Sequence, residues 1–111
     1  MGSLELVRDR LLALYEEART MGEHQVAYHV LAGVLHAGES LQDLATIDEV
    51  ERRARDHGAW LNTNAPRHPL SASSAAQRGH QSIFEQLANT AVAARARIRA
   101  EKLTQKHKGR P

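Results

Sequence analysis

The chain reads as an all-α protein: a single domain, built as a bundle of four main helices that opens with an antiparallel helical hairpin and closes with a long C-terminal helix. Three observations predict this. Large apolar residues recur at alternating steps of three and four, the period of an amphipathic helix. No run alternates with period two and β-branched residues are few, so strand signals are nearly missing. The 111 residues suffice for one modest core and are too few for two.

The first helix follows from the row Leu4, Val7, Leu11, Leu14, Ala18 and Met21, with Ser3 placed to cap its start and Gly22 to end it. After Gly22 the period resumes as two adjacent rows, Val26, Val30, Val34 and Ala27, Leu31, Leu35, until Gly38 interrupts them. So short a connection predicts an antiparallel hairpin. Within it the run "ARTMGEHQVA" resembles the turn of a tetratricopeptide repeat, with Gly22 and Ala27 at the spacing that family uses. The resemblance covers one turn and parts of two helices. No second copy follows at a period of about 34 residues, so the chain is read as a bundle and not as a repeat array.

Next come two capping boxes, "SLQD" with Asp43 three residues after Ser40 and "TIDE" with Glu49 three after Thr46. They predict a short helical turn from Leu41 to Ala45 and a third helix from Ile47 to about His57, closed by Gly58. Its buried face would be Ile47, Val50, Ala54 and, past the glycine, Leu61. These elements make a three-helix N-terminal part, residues 1–61. The stretch "GAWLNTNAPRHPLSAS" carries Gly58, Pro66 and Pro69 among small polar residues and predicts a loop over 62–72. Trp60, the only tryptophan, is expected to plug the end of the bundle. "SAAQ" can cap a final helix that begins near Ala75 and runs to about Lys106. That gives a C-terminal segment of 73–107 and a tail of 108–111. Some thirty helical residues would span ~45 Å, longer than a bundle of this size covers.

Composition sharpens the functional question. Alanine fills 18 positions while Leu, Ile, Val and Phe together fill 23, close to the roughly 20% below which a chain struggles to offset its own ordering entropy. A core this thin often leans on a partner or on self-association. The absence of cysteine excludes disulfides and thiolate metal sites. No basic leader precedes an apolar run, no apolar stretch is long enough to cross a bilayer, and Leu6 stands where a myristoylation signal needs Ser or Thr. A cytoplasmic chain with no membrane partner is expected. Net charge is +2, but from Arg95 onward seven Lys or Arg face one Glu, while the rest of the chain carries eight basic and twelve acidic residues. A basic end of this kind suits an acidic partner, nucleic acid included.

Seven histidines raise the question of a metal site. His29 and His36 share one stripe of the second helix, but seven residues separate them by about 10.5 Å along the axis, too far for one zinc to reach both imidazoles at about 2 Å. His24 lies on the flank of the apolar stripe, away from both. No metal and no cofactor is expected. Catalytic patterns are also missing: no phosphate-cradling glycine loop, no HExxH, no Gly-x-Ser-x-Gly turn. Glu16 and Glu17 point about 100° apart, which does not suit a cooperating acid and base. A non-enzymatic protein is expected.

Function is therefore sought in the final helix. Its apolar row, Ile83, Phe84, Leu87, Ala91, Ala94 and Ile98, predicts a contact surface for a protein partner or a second copy, carried by Phe84, Leu87, Ala91 and Ile98. Beside it Arg95, Arg99, Lys102 and Lys106 fall within ~60° and span ~16 Å, a reach that could follow several phosphates of a nucleic acid without reading its sequence. The leading expectation is a helical interaction module acting through this helix. The alternative is a sequence-independent nucleic-acid-binding protein.

Overall fold

The computed structural model describes residues 2–108, and every regular element in them is helical. There are five: α1 (Leu4–Thr20), α2 (His24–Leu41), α3 (Leu44–Asn64), α4 (Ala72–Gln77) and α5 (Ile83–Lys108). The all-α bundle is as predicted. None of the described helices is long and apolar enough to cross a membrane. Two antiparallel pairs, α1 with α2 and α3 with α5, join where α2 lies against α3 and α5. The result is a slab 58 × 36 × 16 Å.

Caps explain the first boundaries. The Ser3 side chain accepts from the Leu6 N–H at 3.2 Å, and α1 closes with the Glu23 N–H donating to the Ala18 carbonyl and Gly22 to that of Arg19, with Gly22 at φ +77°. The same closure ends α2: the Asp43 N–H donates to the Gly38 carbonyl while Gln42 takes a left-handed φ of 50°. Asp43 then caps α3, accepting from Ala45 at 3.1 Å and from the Thr46 hydroxyl at 2.7 Å. No separate turn exists between Leu41 and Ala45, because only Gln42 stands between the end of α2 and the capping Asp43.

Two glycines expected to stop helices instead lie inside them. At Gly38 a Cβ would meet Thr46 Cγ2 at 2.9 Å, and at Gly58 it would meet Phe84 Cβ at 3.3 Å. Both let a neighbouring element come close, so α2 runs on to Leu41 and α3 on to Asn64. The proline-containing loop shrinks accordingly to residues 65–71. Ser71, and not Ser74, caps the next helix, accepting from the Ser74 N–H at 3.1 Å. The single C-terminal helix predicted over 73–107 is two helices, broken by Gly79 at φ +74°. The tail expected at 108–111 lies, from 109 on, outside the described residues.

That break decides where the core sits. Freed from α4, α5 folds back along α3, and Phe84, Leu87, Ala91 and Ile98 are 0, 5, 0 and 2% exposed. They cover the row Ile47, Val50, Ala54 and Leu61, all fully buried. A large apolar side chain so enclosed contributes about 1.5–3 kcal/mol. Trp60 corrects another expectation: it is 44% exposed, with its ring beside His24 of α2, and does not plug the bundle.

Candidate interaction surface and a buried histidine relay

The row assigned to partner binding, Phe84, Leu87, Ala91 and Ile98, is therefore spent inside the chain. Nothing outside can reach it without lifting α5 off α3. The exposed large apolar residues lie elsewhere. Leu4, Leu6, Val7 and Leu14 belong to α1, Met21 follows it, and Val26 lies at the start of α2. Leu103, near the end of α5, stands apart from them.

Helical geometry explains the concentration. On α1 the buried Tyr15 and Ala18 turn toward α2, Leu6 projects from the opposite half of the helix, and Leu14 and Met21 lie on the flank between. No other described helix runs along the outer side: α1 packs lengthwise against α2, and side-chain contacts such as Tyr15–His57 and Glu16–Arg53 join it to α3. Between the two helices Leu14, Ala18, Met21, Val26 and Val30 line a shallow apolar hollow of about 330 Å³, rimmed by Glu17 and Glu23.

The basic residues of α5 divide. Arg95 binds Asp48 at 2.8 Å and Glu51 at 2.7 Å, both on α3. Lys102 donates to the Gln42 carbonyl at 3.0 Å. Arg99 and Lys106 are exposed. Half of the predicted stripe is thus engaged in holding α5 to the rest of the protein.

The histidines assemble in a way that spacing along one helix does not reveal. His29 and His36 are exposed and form no cluster, and among the described residues no group of three or more His, Asp or Glu side chains could hold a metal. His57, by contrast, is fully buried, with Tyr15 Oη 2.7 Å from its Nδ1 and His24 Nδ1 2.9 Å from its Nε2. Its ring stacks on Phe84 at 4.1 Å between centroids. His68 and Trp60 stand at 5.2 and 5.6 Å from the His24 ring. Four helices and the proline-containing loop meet at this one cluster of side chains.

Burial holds the chain neutral. It pushes His57 down to about 3, helped by Arg19, His24 and His68, and pushes the Tyr15 hydroxyl up to about 12 against the opposing influence of Arg19. His24 is lowered too, again chiefly by burial and then by His68. Tyr15 Oη and His57 Nδ1 share one hydrogen bond, and His57 Nε2 and His24 Nδ1 share another. Both His57 nitrogens are occupied and the ring is enclosed, so it cannot touch a substrate. The relay ties α1 to α3, supplemented by the Arg53–Glu16 ion pair and by Arg8, which reaches the capping Asp43 at 2.8 Å.

A signal for His57 was present: at steps of three and four it continues the row Ile47, Val50, Ala54 toward Leu61. Its partners lie 42 and 33 residues away and carry no such mark. No known protein family, curated protein or solved structure matches this chain.

Proposed function

We propose that this protein is a non-enzymatic helical interaction module whose contact surface is the outer face of the α1–α2 hairpin. One observation carries the reading. Leu14 at 50% and Met21 at 73% exposure stand beside Val26 over the apolar hollow, on a helix face that no other described element covers. Scattered exposed apolar residues are ordinary, but a contiguous group rimmed by charge is the usual mark of a binding surface. An amphipathic helix fits it, laying its apolar stripe along α1 with side chains in the hollow. The leading expectation from sequence is thereby moved from α5 to α1.

A photo-activated cross-linker placed at Leu14 or Met21 in living cells captures a protein adduct, of this chain or of another. The same group at Thr90, exposed on α5, captures none. Adducts formed only from α5, or none at all, would sink the proposal. The nucleic-acid alternative ranks second because Arg95 and Lys102 already have partners within the chain.

A further inference from the structure

On the interaction reading just given, the outer face of α1 has a property that selects its partner. Leu6, Arg10, Ala13, Leu14, Glu17 and Met21 are all exposed. At 100° per residue they fall within a stripe ~100° wide. Their order along the stripe is apolar, basic, apolar, apolar, acidic, apolar, with steps of four, three, one, three and four. The steps read the same from either end, and reversal about the midpoint between Ala13 and Leu14 exchanges the basic residue for the acidic one.

We infer that this stripe pairs with its own copy, α1 against α1 of a second chain in antiparallel order, to form a symmetric homodimer. Rotation by a half-turn about that midpoint sets Leu6 against Met21 of the other copy and Ala13 against Leu14. It sets Arg10 against Glu17, twice. A two-fold interface uses the same patch on both partners, so it must be self-complementary in this way. Parallel pairing of the same stripes would place Arg10 beside Arg10 and Glu17 beside Glu17, and like charges across a helix seam disfavour it. Among the described residues neither Arg10 nor Glu17 has an ion-pair or side-chain hydrogen-bond partner, whereas Arg8, on the inner side of the same helix, has two carboxylates. Both charges are exposed and unpaired within the described residues, so both are available to a second chain. Val26, beside Met21 across the hollow, widens the contact at each end.

The extent of the stripe sets the strength. From Leu6 to Met21 is ~22 Å of helix, and a strip of that length covers roughly 300 Å² per copy. Durable complexes bury about 800 Å² per partner. The dimer is accordingly weak.

Sedimentation equilibrium of the whole chain from ~5 μM to ~1 mM tests the inference. The mass rises toward twice the chain mass across that range. Glu17→Arg confronts Arg10 with a second arginine and weakens association about tenfold or more, and Leu14→Glu abolishes it. The double exchange Arg10→Glu with Glu17→Arg restores the pairing in reverse and brings the dissociation constant back to within about threefold of the parent. All these positions are on the surface, and an unchanged circular dichroism spectrum shows that the monomer still folds. A parent chain that stays monomeric to ~1 mM overturns the homodimer, and so does association that Glu17→Arg leaves untouched or that the double exchange fails to restore. If the parent is monomeric while a cross-linker at Leu14 still captures another protein, the homodimer alone falls and the interaction surface stands. Loss of both takes the interaction reading with it.

Discussion

At the scale of single residues the most consequential group is His57, because its two nitrogens and one stacked face join helices that otherwise meet little. The pH dependence of folding follows from it. In the unfolded chain the imidazole binds a proton near its ordinary value of 6.5, while in the folded protein burial holds it neutral down to about 3. Below 6.5 the unfolded state therefore binds more protons than the folded state, and stability falls with pH by up to about 1.4 kcal/mol per unit. The stabilisation is complete above 6.5 and is lost as pH falls toward 3. His24, lowered in the same direction, adds to the effect. Asp43, Glu49 and Glu51, all held below their ordinary values chiefly by side-chain hydrogen bonds, lose their contributions only in the carboxylate range. Between pH 7 and 5 the histidines thus act nearly alone. Urea unfolding over that interval shows a falling midpoint, and His57→Gln, uncharged throughout, flattens the dependence even where it lowers the midpoint at pH 7. An unflattened profile in the variant would remove His57 as the cause.

At the scale of elements, α1, α2, α3 and the long last helix were legible from period and caps, but their ends were not, and α4 was not told apart from α5. A glycine after an apolar run is compatible both with a helix end and with a close crossing, and only the neighbour decides. Gly22 is an end, at positive φ with open space around it, while Gly38 is a crossing pressed against Thr46 and Ile47. Gly33 is a third case, where a Cβ would touch Leu11 Cδ1 at an ordinary 3.5 Å. The three differ in what alanine does. Within a helix alanine is favoured over glycine by about 1 kcal/mol. Gly33→Ala keeps that gain and raises the melting temperature. Gly38→Ala forces α2 away from Thr46, and crowding of this kind costs about 1–3 kcal/mol, enough to reverse the sign. Thermal denaturation of the two variants side by side gives shifts of opposite direction. Equal shifts would mean that α2 and α3 do not approach as closely as the structure has them.

At the scale of the whole molecule, charge and apolar surface had to be divided between fold and function, and the sequence alone could not make the division. Phe84, Leu87, Ala91 and Ile98 form as regular a row as Leu4, Val7, Leu11, Leu14 and Met21. Whether a row is core or surface depends on which helix folds back over it. The bend at Gly79 buries the first, while α1, packed lengthwise against α2, leaves most of the second open. Arg95 shows the same division among the charges. Its pairing with Asp48 and Glu51 fastens α5 to α3, so removing it affects the fold before it affects any ligand. Arg99, exposed one turn further along, carries no such duty. Arg95→Ala therefore lowers the melting temperature and Arg99→Ala leaves it unchanged. With Arg95 and Lys102 engaged, few free cations remain on the described part of α5 to release counterions from a phosphate backbone. Fluorescence anisotropy with labelled duplex DNA and single-stranded RNA then shows, at most, binding that vanishes by ~150 mM salt. Tight binding at that salt, lost in the quadruple alanine variant of Arg95, Arg99, Lys102 and Lys106, would instead mean that α5 gives up its contacts with α3 and Gln42 to meet the nucleic acid.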